Sequence, residues 1–257
     1  MGRVTFLGAG DPLNGERAQT SLAVPIERGE TLLIDVSSGT IILRQLHQAG
    51  IPLASIRHIA ISHRHFDHAG GLAPLLVAMT AVPESQVTIY ATAETIAAMH
   101  ELLLVTIPGV EDWLGARLRW QELVPERAVA IGEVALTPFT VEHGIECVGM
   151  RLVRGRKVLA FTADTRPCPN VATWAENADL LIHEVYSLDD AAKSAHFFGH
   201  STAADAGAVA RVADVRRLIL THFRASTLAD PAALAAEAAA AFGHPVGAAR
   251  DLETVEY

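Results

Sequence analysis

Four residues able to ligate a metal ion fall within six positions: His63, His65, Asp67 and His68, in the run Ser62-His63-Arg64-His65-Phe66-Asp67-His68-Ala69-Gly70-Gly71. Imidazole nitrogens and a carboxylate suit zinc. A lone histidine is ordinarily a surface or core residue. Three histidines and an aspartate at H-x-H-x-D-H spacing make a ligand set, and the run is read as a metal site.

The flanking residues say what holds it. Ile56 to Ile61 is short, apolar and β-branched, the pattern of a buried strand, and Leu72 to Thr80 reads as a helix. The ligands therefore stand on a turn at the carboxyl end of a strand, where α/β sheets place their sites. The same arrangement recurs downstream. His143 follows the strand Val134 to Val141, Asp164 follows Lys157 to Phe161, Glu184 follows Asp179 to Ile182, and His222 follows Arg217 to Leu220.

The remaining elements are read more plainly. Arg3 to Leu7, Ser21 to Ile26 and Thr31 to Asp35 are strands, and a helix then runs to about Gln48. Val87 to Ala91 is a strand and Ala93 to Leu104 a helix. Cys147 to Val153 pairs with the strand before it. Alanine-rich helices cover 202–213 and 231–241, and Ala248 to Glu256 is a last strand. Residues 106–120 hold Trp113 and Trp120 with poor periodicity, and read either as a connection packed on the core or as an apolar lid. Strands followed by helices, twice over, suit two sheets packed face to face with helices outside.

Composition narrows the class. A chain of 257 residues, half of them apolar and without a linker or low-complexity break, reads as one domain over 1–257. The net charge of -9 disfavours a broad nucleic-acid footprint. The start carries no signal-peptide pattern and no apolar run reaches membrane-spanning length, so a cytoplasmic protein without membrane contact is expected. Cys147 and Cys168 are too few for a disulfide framework and are read as reduced thiols.

A catalytic zinc takes about three protein ligands, and a two-metal site needs about twice that with a bridging group. His63, His65 and His143 would hold one ion. Asp67, His68 and His222 would hold the other, with Asp164 as the bridge.

The chain resembles the metallo-β-lactamase superfamily and, within it, the ribonuclease Z (tRNase Z) branch. The likeness runs through Thr5-Phe6-Leu7-Gly8, Leu33-Ile34-Asp35, the H-x-H-x-D-H run, Glu142-His143, Phe161-Thr162-Ala163-Asp164, Leu181-Ile182-His183-Glu184, Gly199-His200-Ser201-Thr202 and Leu220-Thr221-His222-Phe223. It implies an α/β fold of the αββα four-layer sandwich type, with two Zn2+ (Mn2+ or Fe2+ as alternatives) on one edge. It also implies that His200 is the acid for the leaving group, oriented by Glu184, and that the protein forms a homodimer. The long arm with which relatives grip tRNA is missing, since His143 and Asp164 stand 21 residues apart across a hairpin. That departure, with the acidic charge, sets the expectation that tRNA is an improbable partner.

The reaction expected is hydrolysis by a metal-activated water that Asp67 orients, in a pocket walled by Phe66, Phe197, Phe198, Phe223 and the Trp113 region. The substrate expected is a small phosphodiester or related ester. The alternatives are a carboxylic ester or lactone, a tRNA 3′ endonuclease on the same scaffold, and a non-catalytic sensor.

Overall fold

The computed structural model describes residues 2–225 and 230–257. One sheet is built from β1 (Arg3–Gly8), β2 (Ser21–Pro25), β3 (Thr31–Ile34), β4 (Ile56–Ala60), β5 (Val87–Ala91) and β6 (Leu118–Glu122). The other is built from β7 (Val129–Ile131), β8 (Val134–Thr140), β9 (Val148–Arg154), β10 (Lys157–Phe161), β11 (Leu180–Glu184), β12 (Leu218–Thr221) and β13 (Val246–Ala248). The last strand, β14 (Thr254–Glu256), returns to the first sheet, whose order is β14-β1-β2-β3-β4-β5-β6. The second runs β13-β12-β11-β10-β9-β8-β7.

Side-chain alternation assigns the faces. In β3, Leu32 and Ile34 enter the core between the sheets, with Phe6, Leu22, Leu136, Phe139, Met150 and Leu152. Leu33 points the other way, into a separate cluster under the outer helices. That outer layer is α1 (Ile41–Gln48), α2 (Phe66–Ala69), α3 (Leu72–Thr80), α4 (Ala93–Thr106) and α5 (Val110–Leu114). The second sheet is covered by α6 (Pro169–Ala175), α7 (Ala192–Phe197), α8 (Ala203–Val212) and α9 (Pro231–Phe242). Two sheets with helices outside each make the αββα sandwich.

Helices α8 and α9 approach closely: a Cβ on Gly207 would stand 2.2 Å from the Ala238 carbonyl oxygen. Ala203, Ala206, Gly207 and Ala210 form the buried stripe of α8, and its small side chains permit the approach. Strands β3, β4, β5 and β6 are mutually parallel, as are β10, β11, β12 and β13, so helices must return the chain between them. All these strands therefore end on one edge.

Two expectations are corrected. Residues 106–120 are packed on the core, through Val110 and Leu114, and are not a lid: they form the end of α4, then α5, then the start of β6, the edge strand paired with β5. The edge position leaves β6 half-exposed and polar, which hides its strand character. Ala248 to Glu256 is two strands in different sheets. The turn between them is held by Asp251, whose carboxylate accepts from the Ala9 and Ala18 amides at 3.1 and 2.6 Å. Helices α6 and α7 are short and have no sequence periodicity to announce them. Among the described residues no single helix is long and apolar enough to cross a membrane.

Candidate metal centre

The edge where the parallel strands end gathers the ligand-type residues. Asp35 follows β3, the H-x-H-x-D-H run follows β4, and Asp164 follows β10. Glu184 closes β11 and His222 follows β12, while His143 comes from the β8–β9 hairpin. Besides Glu184, His200 and His222, two larger groups of side chains result, each with its ligand atoms within 4.8 Å of one another: His63, His65, His143 and Asp164; and Asp67, His68, Asp164 and His222. Asp164 belongs to both. Its Oδ2 lies 3.7 Å from His63 Nε2 and 3.4 Å from His222 Nε2, and its Oδ1 lies 3.3 Å from His68 Nε2.

The hydrogen bonds on the far side of each ring fix which nitrogen faces inward. His143 Nδ1 donates to the Gly199 carbonyl at 2.9 Å, leaving Nε2 for the site. His63 Nδ1 lies 3.0 Å from Ser62 Oγ, which itself donates to Asp35 Oδ2 at 2.8 Å. His63 Nε2 and His143 Nε2 then meet His65 Nδ1 at 3.1 and 3.2 Å. Three nitrogen lone pairs converge on one point. Burial first, and then neighbouring histidines, hold His63 and His65 below the ordinary imidazole range, so these rings are neutral and ready to ligate.

In the second group His68 donates Nδ1–H to Asp35 Oδ2 at 2.7 Å. Its Nε2 faces the Asp67 and Asp164 oxygens at 3.2 and 3.3 Å. It must carry a second proton or share a cation with them. Burial disfavours the imidazolium, but Asp164, Asp67 and Asp35 outweigh it and raise His68 well above its usual range. Burial likewise opposes the charged forms of Asp67 and Asp164, and the facing histidines outweigh it, holding both low. His68 Nε2 and Asp164 Oδ1 are buried and have no hydrogen-bond partner among the described residues. A cation held by these residues would satisfy both atoms, so the donor set fits a divalent metal.

His200 stands beside this cluster, its ring stacked 5.4 Å from His222. Its Nδ1 donates to Glu184 Oε1 at 2.9 Å, and Glu184 also accepts from the Thr165 amide at 2.8 Å. Burial lowers the affinity of His200 for a proton; Glu184 outweighs it and lifts the imidazole to about 9. A cavity of about 400 Å³ opens over His65, Asp67, His143, Asp164, His200 and His222. Its rim carries Leu13, Phe66 and Phe198, all exposed. Phe223 is not a wall: it is fully buried, with the Arg17 guanidinium 4.9 Å from its ring centroid. Neither Phe197 nor Trp113 lines the cavity.

Several contributors lie outside the sequence reading. Asp35 and Gly199 orient the ligand rings, as above. Asn14 donates to the Phe223 and Arg224 carbonyls at 2.9 and 3.2 Å, clamping the turn that carries His222. Asp35, Ala163 and His222 have positive φ of 57°, 53° and 61°. Strain of this kind costs of order 1–3 kcal/mol per residue and collects where a site dictates the backbone. Leu33-Ile34-Asp35 is a visible motif, but nothing in it tells that Asp35 faces His68.

A hydrolase that works through bound metal is the class that this fold and site define. The chain belongs to the beta-lactamase superfamily, whose domain profile matches residues 30–223. Among curated relatives it is 31% identical to Ribonuclease Z of Natronomonas pharaonis, covering 99% of this chain and 97% of the relative. It is 32% identical to Ribonuclease Z of Methanothermobacter thermautotrophicus, covering 100% and 97%. These alignments run over 303 and 306 positions against 257 residues here, so both relatives carry residues without counterpart in this chain. Among solved structures, the metallo-beta-lactamase fold protein YhfI from Bacillus subtilis superposes with a TM-score of 0.84 at 23% identity, covering 99% and 98%. The short form of human tRNase Z follows at 0.78 and 22%, also covering 99% and 98%.

These relatives overturn the expectation that tRNA is an improbable partner, because proteins named Ribonuclease Z align with nearly the whole chain. Net charge misled for a physical reason. It sums the entire surface, whereas a nucleic acid meets one local field.

Proposed function

We propose that the protein is a zinc-dependent phosphodiesterase of the ribonuclease Z type, cleaving precursor tRNA near its 3′ end. His63, His65 and His143 would hold one ion and Asp67, His68 and His222 the other, with Asp164 shared. When bound, such ions supply Lewis acidity and lower the pKa of a water. Asp67, held ionised by its histidine neighbours, would orient the attacking water towards phosphorus. Glu184 keeps Nδ1 of His200 protonated, and the opposite nitrogen gives its proton to the departing oxygen.

The observation that carries the reading is the His200–Glu184 pair at 2.9 Å beside the metal ligands. A ribose oxygen is a poor leaving group, and expelling it requires a proton donor that stays charged at neutral pH. Relatives named Ribonuclease Z support the same reaction.

The test is incubation of the zinc-loaded protein with a precursor tRNA bearing a 3′ trailer, at low salt because phosphate contacts are screened. Cleavage at the trailer boundary is expected. Hydrolysis of p-nitrophenyl acetate or a lactone panel, with precursor tRNA and bis(p-nitrophenyl) phosphate both untouched, would overturn the reading. That outcome defines the second reading, an ester or lactone hydrolase, which the apolar rim of Leu13, Phe66 and Phe198 favours.

A further inference from the structure

Four flat groups stack in succession, starting from His222. The His222 ring stacks on His200 at 5.4 Å, and His200 stacks on Tyr186 at 5.2 Å with 10° between planes. The Arg224 guanidinium carbon then lies 4.4 Å from the Tyr186 ring centroid. Arg224 lines the same cavity as His200 and Asp67. Its backbone is fixed, because Asn14 holds its carbonyl at 3.2 Å. Among the described residues no carboxylate lies within ion-pair distance of its guanidinium.

Stacking on Tyr186 occupies the face of the guanidinium, and among the described residues its edge N–H groups make no hydrogen bond, although Asp11 on the same cavity wall feels its charge. A planar fork of donors matches two oxygens of a phosphate. His200 and Arg224 both pack on Tyr186, so the guanidinium lies near the residue read as the leaving-group acid. The scissile phosphate belongs to the metal ligands. An anion one step further along, carried by the leaving group, is what this fork can reach. Phe198, 55% exposed and 6.2 Å from Tyr186 between ring centroids, offers a face on which the intervening base can stack.

We propose that Arg224 is a specificity-determining residue that takes the phosphate next to the scissile one on the leaving-group side. This deepens the phosphodiesterase reading and rests on it.

The test compares kcat/KM for the dinucleotide UpU with that for pUpU and UpUp, which carry a terminal phosphate one nucleotide from the diester. The wild type is expected to prefer one phosphorylated form by about tenfold or more, the size of a hydrogen bond to a charged group. Arg224→Gln should collapse that preference to about twofold. Arg224→Lys should fall between, since it keeps the charge and loses the fork. Metal content is measured on each variant to establish an intact site. A wild type with no preference, or an Arg224→Gln protein that keeps it, overturns the proposal while leaving the phosphodiesterase reading standing. Failure of the wild type on all three dinucleotides, bis(p-nitrophenyl) phosphate and precursor tRNA removes that reading, and this proposal with it.

Discussion

Asp35 Oδ2 accepts the Nδ1 proton of His68 at 2.7 Å, and both side chains are fully buried. The same carboxylate accepts from the Ser62 amide at 2.7 Å and the Ser62 hydroxyl at 2.8 Å, so one residue orients His68 directly and His63 through Ser62. Partners of this kind, one layer behind the ligands, commonly carry about 10- to 100-fold in metal affinity. Asp35→Asn is expected to lower zinc affinity by that order in a competitive chelator titration. Wild-type affinity in a folded variant would remove Asp35 from the site.

Gly199 makes a second, steric prediction. Its φ is +81°, and an added Cβ would stand 2.9 Å from His143 Nδ1. Gly199→Ala should displace the His143 ring and weaken the first ion, giving below-stoichiometric metal on dialysis. It should also cost about 1 kcal/mol or more of stability from the left-handed backbone. Full metal occupancy at unchanged stability would show that the loop yields instead.

The His200–Glu184 pair predicts a titration. His200 is pushed up to about 9, against an ordinary value of 6.5. A raised pKa means the folded state binds the proton more tightly. The resulting stability is complete below about 6.5 and is lost as pH rises through about 9. Histidine NMR of the metal-free protein should give a midpoint near 9 for His200, and Glu184→Gln should bring it back towards 6.5. A wild-type midpoint near 6.5 would mean the carboxylate does not hold the ring.

Asp164 is shared by both ligand groups, so its loss cannot be confined to one ion. Asp164→Ala should lose metal and activity together, read as zinc per chain beside hydrolysis of bis(p-nitrophenyl) phosphate. Full activity would exclude a bridging role.

Thr202 caps α8 immediately after the His200 loop. Its hydroxyl accepts from the Asp205 amide at 3.1 Å, and the Asp205 carboxylate accepts from the Thr202 amide at 2.9 Å. Thr202→Ala should cost about 1 kcal/mol in urea unfolding. A change within experimental error would mean that water replaces the hydroxyl.

The ligand types, their order and the strand ends bearing them are set by local sequence. H-x-H-x-D-H needs only a turn after Ile56–Ala60 to bring His63, Asp67 and His68 into one volume, and short apolar runs announce the strands that end before Asp164 and His222. Resemblance to a known family supplied the roles of His200 and Glu184, which spacing alone did not. Other features are invisible in the chain because they arise between segments far apart in it. Asp35 meets His68 across 33 residues, the Gly199 carbonyl meets His143 across 56, and Asn14 pins the carbonyl of Arg224 across 210. The edge strand Leu118–Glu122 escapes for a related reason: with one side of its ladder unpaired and its side chains half in water, it has no apolar alternation to display. Sequence decides what each residue can donate or accept. Only the packing of the two sheets decides which partner it finds, because a hydrogen bond is fixed over about 3 Å and a chain carries no record of distances between segments it has yet to bring together.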